Sequence, residues 1–538
     1  MWFWVLSGVG ILLLVVLWMD ADLSVYDEGL VLYGAANVLR GEFPWRDFWS
    51  FYGPGQYYLL AALFHIFGMF AIVGRALYSL TMLVSLLTVI RLQSVLGGKR
   101  WLGVVGALVA LLWASAAGTY LYPVYTALSL ILVAALCLVR HWQLGTKRWI
   151  CMAGALIGVV VLFRHDMAIY SFLVMCAAEC YYHLGLTGKS IRLRCRGFVR
   201  DVSLFAGCIL IIAVPPIIFL FEHVPFADVR YQMFYIPSRV YPLMRRLPLY
   251  LLPFGGVVKN IRAAVHESYV LVPMVVPIAA LSCVVQKRWR EQQPHWQATG
   301  YVLLMCLAIV MPISAIVRPD LFHVAPALMV DALVLSAFVA NRGYSGRFGQ
   351  TMVVGAAMFF SVVTIAQFVR TVRQAKGTVA LLVHPGRPGS LESMCHPPAG
   401  LERTTCLRID PVEEEEAEYI ESHTVPGEEI YAGAGRHDKL YQNDILLYFI
   451  AKRDAGTKWY YLEPGLETTY PIQTQMIQDL DNHHVNYVVR NMTWDGVAEP
   501  NDSRFSSGVT ILDQYIDANY KTVASYPQVQ ILHRTTPF

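Results

Sequence analysis

Tyr26-Asp27-Glu28-Gly29, Gly41-Glu42-Phe43-Pro44-Trp45-Arg46-Asp47-Phe48 and Tyr52-Gly53-Pro54-Gly55 follow one another after the first apolar run of the chain, Met1 to Met19. Adjacent carboxylates at the mouth of a membrane helix are costly to hold there, so this stretch reads as a place of chemistry rather than as a spacer. On a helix the side chains of Asp27 and Glu28 diverge by about 100°, so they cannot share one ligand face. One can take a proton from a hydroxyl acceptor while the other orients that acceptor or holds a cation. The structural alternative is that both cap a helix from Gly29 to Arg40.

Working outward, the 538 residues are 56% hydrophobic and 15% charged, with mean hydropathy +0.48. That balance excludes a wholly soluble protein and points to a polytopic α-helical membrane protein. The apolar character stops near residue 370, which divides the chain into a membrane domain, 1–370, and a soluble α/β domain, 371–538. A net charge of +4 says little about partners, and no nucleic acid is expected among them.

The basic residues cluster at Lys99-Arg100, Lys147-Arg148, Lys189 to Arg200, Lys287 to Arg290 and Arg342 to Arg347, which should therefore be cytoplasmic loops. Met1 to Met19 lacks a basic start and reads as an uncleaved anchor rather than a signal peptide. Ten further spans are expected at 70–93, 101–118, 123–140, 150–163, 167–184, 202–221, 267–285, 298–317, 325–340 and 349–370, about eleven in all. Gly55 to Phe70 is read as a helix at the outer interface, because counting it as spanning would split the basic loops between the two sides. With that choice the unusual polar clusters and the soluble domain all fall outside.

Several of those clusters carry candidate ligands. Arg164 lies at the outer end of a span beside Asp166, and an arginine there can bind a lipid phosphate through its planar fork. Arg318-Pro319-Asp320-Leu321-Phe322-His323 is a second outer turn, whose Asp320 and His323 stand three apart on one helical face. The outer loop Glu222 to Arg262 holds Arg230, Arg239, Arg245 and Arg246 among tyrosines, against the usual topology bias; Arg239 is taken as a donor-phosphate ligand. Tyr52 and Tyr122 are candidates for contact with substrate or metal, with an aromatic belt as the alternative. A divalent metal (Mg, Mn or Zn) is compatible with Asp166, Asp320 and His323, although no carboxylate/His set has unambiguous ligand spacing.

Cys395 and Cys406 lie close together in the exported part, flanked by Pro and Gly, as a local disulfide in an oxidising compartment would. In the soluble part, Val412 to His423, Asn443 to Lys452, Pro471 to Asp481 and Ile511 to Asn519 read as helices. Glu429 to Ala432, Trp459 to Leu462 and Val485 to Val489 read as strands.

Taken as an ordered set, the external Asp27-Glu28 pair, a helix ending in Leu39-Arg40-Gly41, the turn Pro44-Trp45-Arg46-Asp47, the Tyr52-Gly53-Pro54-Gly55 start and Ile66-Phe67-Gly68 before Arg75 resemble the first external loop of GT-C glycosyltransferases. The similarity is to the branch with the protein O-mannosyltransferases and the aminoarabinose lipid A transferases. It implies a GT-C fold in a bacterial inner or cell membrane, with the C-terminal domain extracytoplasmic. It further implies an inverting transferase taking sugar from a polyprenyl-phosphate donor to a glycan, lipid or protein acceptor. Asp27 would be the general base and Glu28 its neighbour in acceptor or metal binding, with Arg164 and Arg318 as donor-phosphate ligands. The chain departs from the mannosyltransferases in carrying Tyr52-Gly53-Pro54-Gly55 where those have a His-Pro-Pro-type stretch. Two rival readings are a transporter or flippase of lipid-linked sugars, and a non-catalytic scaffold of envelope glycan assembly.

Overall fold

The computed structural model describes residues 2–19, 21–115, 121–188, 190–248, 272–273, 275–281, 284, 294–340, 372 and 394–537. Nine helices open the chain: α1 (Trp2–Leu17), α2 (Asp27–Leu39), α3 (Gly55–Phe67), α4 (Ala71–Val95), α5 (Arg100–Ser115), α6 (Pro123–Leu144), α7 (Lys147–Phe163), α8 (His165–Leu184) and α9 (Ile191–His223). Beyond them come a π-helix, Tyr231–Val240, between two short α-turns, and the helices His295–Val310 and Leu321–Ala340. Among the described residues, six helices are long and apolar enough to cross a membrane: α4, α6, α8, α9, His295–Ala315 and Leu321–Phe338. Trp2–Leu17 and Arg100–Ala114 are shorter apolar helices. The expected span 349–370 and nearly half of 267–285 lie outside the described residues, as does the expected domain boundary near 370.

α3 has 13 residues, about 20 Å at 1.5 Å per residue, too short for a hydrocarbon core of about 30 Å. It buries Tyr57, Leu60 and Phe64 and packs on α2, α4 and α7. Its start is fixed by glycines. A Cβ on Gly55 would stand 2.8 Å from the Phe163 ring, and one on Gly53 would meet the backbone at Leu162 and Phe163. Only residues without side chains let this loop lie against the end of α7.

From Met394 onward the chain forms a layered α/β unit. Its sheet has five strands, β1 (Glu429–Ala434), β2 (Asp454–Ala455), β3 (Tyr487–Asn491), β4 (Tyr520–Tyr526) and β5 (Val529–Arg534), in the order β2-β1-β3-β5-β4. β1 pairs in parallel with β2 and β3, with Ile430 opposite Tyr487; β5 runs antiparallel to both β3 and β4. Trp459 to Leu462, expected as a strand, is instead an irregular segment of turn and bend outside the sheet. Its aromatic run packs on the membrane part: Trp49 stacks on Tyr461 at 4.7 Å and donates its indole N–H to the Tyr461 carbonyl at 2.7 Å. The β4–β5 hairpin was not expected from the sequence; its two-residue connection, Pro527-Gln528, holds Gln528 at positive φ. Cys395 and Cys406 are disulfide-bonded.

The α/β unit is seated on α2. Tyr33 stacks on Tyr448 at 5.1 Å, its hydroxyl accepts from the Ala455 backbone at 2.7 Å, and the Leu446 N–H donates to the Val25 carbonyl at 2.9 Å. Gly29 makes this approach possible, because a Cβ there would stand 2.5 Å from the Leu446 backbone nitrogen.

Candidate functional site

The N-terminus of α2 carries Asp27 and Glu28 in its first turn, where the helix dipole favours carboxylates. Their divergence gives them different surroundings. Glu28 is buried, and its carboxylate is gripped by the Arg75 guanidinium, with Nη2 to Oε2 at 2.7 Å, and by the Ser24 backbone N–H at 2.9 Å. It faces α4 and not the cavity. Asp27 lines a cavity of about 220 Å³ with Tyr26, Tyr52, Tyr122, Tyr241, Arg245, Arg318, Asp320, His323 and, from the α/β unit, Tyr461 and Glu463.

A second cavity of about 300 Å³ shares Phe51, Tyr52, Tyr241 and His323 with the first. It adds Arg164, His165 and Asp166, with Tyr170 and the more apolar wall Ile236, Pro237, Ile313, Ile316 and Val317. Tyr52, which lines both, is joined through its hydroxyl to Tyr122 in the wall of the first. Most of the residues picked from the sequence thus converge, although they come from α2, α6, α8 and the turn before Leu321–Ala340.

The arginines differ in what they hold. Arg318 engages all three nitrogens: Nε donates to Asp320 at 2.9 Å, and Nη1 and Nη2 grip Glu499, Nη1 at 2.9 Å. Arg245 is buried, with Nε on Glu463 at 2.7 Å and Nη2 on the Tyr441 carbonyl. Arg164 uses Nε and Nη2 on Asp166, at 2.9 and 2.7 Å, and its Nη1 has no hydrogen bond among the described residues. Arg239 is the exception to the expected set. It is exposed and lines neither cavity. The π-helix around it turns more slowly than an α-helix, burying Gln232, Met233 and Ile236 and turning Arg239 outward; Arg245, farther along the same loop, takes the inward place.

Carboxyls from both parts of the chain shape the electrostatics. Burial pushes the Asp320 carboxyl up, but its hydrogen bonds with His323, Oδ1 to Nδ1 at 2.7 Å, and the Arg318 charge outweigh it and hold it below its usual range. Burial likewise opposes ionisation of Glu499, and Arg318 overcomes it. The Tyr26 and Tyr461 hydroxyls are pushed well above their usual range by burial and then by Glu463, to which both donate, at 2.8 and 2.9 Å. Glu463, Tyr461 and Glu499 were missed in the sequence, where they lie more than 400 residues from Asp27 and where Glu463 looks like turn material and Tyr461 like part of a strand; only the folded chain brings them together.

Asp27, Asp320 and His323 could hold a divalent cation in the first cavity, which would exchange the Asp320–His323 hydrogen bond for coordination. A different group has the tighter ligand geometry. His141, Glu179 and Asp201 offer ligand atoms within 4.8 Å of one another, all buried, near the C-terminal ends of α6 and α8 and within the first third of α9. The i, i+4 pair Glu179 and His183 was the signal for it in the sequence.

Neither family models nor curated proteins match this chain. Solved structures do. ArnT from Cupriavidus metallidurans, bound to undecaprenyl phosphate, superposes with TM-score 0.52 at 14% identity over 98% of this chain and 97% of that one. The same protein in the apo state gives 0.53 at 15% identity, with the same shares covered. An oligosaccharyltransferase from Archaeoglobus fulgidus tethered with an acceptor peptide gives 0.50 at 12% identity, over 91% of this chain and 69% of that one. The fold is therefore that of the GT-C membrane glycosyltransferases.

Proposed function

We propose that this chain, built on the GT-C fold, is an inverting glycosyltransferase that moves a sugar from a polyprenyl-phosphate carrier to an extracytoplasmic hydroxyl acceptor. The observation that carries the reading is the pair of adjoining cavities. One offers the Asp27 carboxylate and the other an arginine with a donor nitrogen to spare beside an apolar wall. The ArnT structure bound to undecaprenyl phosphate supports a lipid-phosphate donor for the same fold.

In the proposed reaction the donor phosphate sits on Arg164 with its lipid chain along Ile236, Ile313 and Ile316, and the acceptor hydroxyl lies in the first cavity. Asp27 takes the hydroxyl proton as the acceptor oxygen bonds to the anomeric carbon. The bond from that carbon to the phosphate oxygen breaks, and the electron pair leaves with polyprenyl phosphate, whose developing charge Arg164 stabilises. Attack opposite the leaving group inverts the anomeric centre. Glu28, held by Arg75, acts by fixing the first turn of α2.

The chemistry is placed on the extracytoplasmic side of a bacterial cell membrane, with 1–370 as the catalytic domain and 371–538 as a lid over it. The sorting of charges supports this. Lys147, Arg148, Arg192, Arg194, Arg196 and Arg200 gather at one end of α7–α9, and the cavities at the other. One observation favours the transporter reading: Asp331 is fully buried within Leu321–Ala340, and neither carboxylate oxygen has a hydrogen-bond partner among the described residues. Proteoliposomes loaded with a panel of radiolabelled polyprenyl-phosphate sugars and membrane extract separate the two. The proposed function gives label in acceptor; label that crosses the bilayer without being transferred would overturn it.

A further inference from the structure

At the end of the helices opposite the cavities, α6, α8 and α9 bring His141, Glu179, His183 and Asp201 together, all buried. From Tyr125, near the cavity, to His141 is about 24 Å along α6. The His183 Nε2 lies 3.1 Å from Glu179 Oε1 and 3.2 Å from Asp201 Oδ2; the His141 Nε2 lies 3.9 and 3.5 Å from the same two oxygens. We propose that His141, Glu179 and Asp201 supply the three protein ligands of a site for a divalent transition-metal ion of the zinc class, tying the three helices together at this end of the molecule.

The argument begins with His141. Its Nδ1 lies 3.0 Å from the Thr146 carbonyl, to which it donates, so Nε2 presents a bare lone pair toward two carboxylate oxygens. Doubly protonating the ring would remove the repulsion, but a charge-assisted N–H to carboxylate bond closes to about 2.7–2.9 Å, and 3.5 and 3.9 Å are too long for it. The same separations suit ligands that share an ion. Donors about 2.0–2.2 Å from a tetrahedral centre stand about 3.3–3.6 Å apart, and the His141 Nε2 distances of 3.5 Å to Asp201 and 3.9 Å to Glu179 lie at and just above that range.

The surroundings match as well. Metal ligands ordinarily have their outer atoms held by further hydrogen bonds. Here the Trp142 indole donates to Glu179 Oε2 at 2.6 Å, while Lys147 and Arg200 hold Asp201 Oδ1, Arg200 at 3.1 Å. Gly197 gives room for the His183 ring, since a Cβ there would stand 2.6 Å from its Cε1. One imidazole and two carboxylates, with a fourth position open to water, form a donor set that zinc accepts, and nothing in the proposed transfer reaction uses it.

The test is titration of chelator-treated, full-length protein in detergent with Zn2+ and, separately, with Co2+. The expected result is about one ion per chain and the intense visible absorption of tetrahedral Co2+. His141→Ala should remove that absorption, and Trp142→Phe should weaken binding by about 10- to 100-fold, while His323→Ala in the cavity leaves it unchanged. Absence of the tetrahedral spectrum in the wild-type protein would overturn the proposal whatever the variants do. So would a spectrum that survives His141→Ala or is lost with His323→Ala.

Discussion

Arg164 and Glu28 show how one type of contact serves two ends. Arg164 shares only two of its nitrogens with Asp166, which leaves a donor for an incoming phosphate. Arg164→Ala should therefore weaken donor binding by roughly 10- to 100-fold, the worth of one or two charge-assisted hydrogen bonds at about 1.5–3 kcal/mol, measured by titrating the donor lipid. Arg164→Lys should recover only part of it, because a point charge cannot replace a planar fork. Glu28 is committed to Arg75, which is itself fully buried. Removing either partner leaves an uncompensated buried charge, so Arg75→Met should cost about 3–5 kcal/mol, read as a lower thermal midpoint in detergent. Pairing it with Glu28→Leu should restore much of that loss. The Asp-Glu dipeptide was legible in the sequence as a place of chemistry, and its 100° divergence as a division of labour. Which partner Glu28 takes was not legible, since Arg75 lies on another helix.

Among the elements, α2 is the hinge between sequence and site, because it presents Asp27 on one side and receives the α/β unit on the other. Gly29→Ala places a Cβ against the backbone of Leu446, which cannot rotate away. The expected result is destabilisation by about 1–3 kcal/mol and faster proteolytic release of the C-terminal unit, while Gly8→Ala, in open space on α1, leaves both unchanged. The long apolar helices α4, α6 and α8 were legible because their composition is nearly uniform over a span length. The π-helix was not: the sequence offers several arginines in one loop, and only the wider turn decides that Arg239 faces out and Arg245 belongs to the cavity. Trp459 to Leu462 has strand composition, but its aromatics are used to cover Trp49 and Tyr33 rather than to join a sheet.

At the scale of the molecule, the α/β unit contributes charge to the cavity through Glu463 and Glu499, and it carries a buried acidic group of its own. Burial pushes the Asp444 carboxyl up to about 6, and burial followed by the nearby Asp444 charge raises Glu413 and Glu416 well above their usual range. The unfolded chain gives up these protons near pH 4, whereas the native state keeps them, so their contribution falls as pH rises from about 4 through 6. Glu413→Gln should therefore gain thermal stability relative to wild type as pH increases across that window; a constant difference in midpoint would contradict it. The most direct test of the whole account is transfer of labelled sugar from a saturating polyprenyl-phosphate donor by wild-type protein and by Asp27→Asn, with donor binding measured on the same preparations. The account predicts that the substitution abolishes transfer while donor binding persists. Equal transfer by both proteins would contradict it.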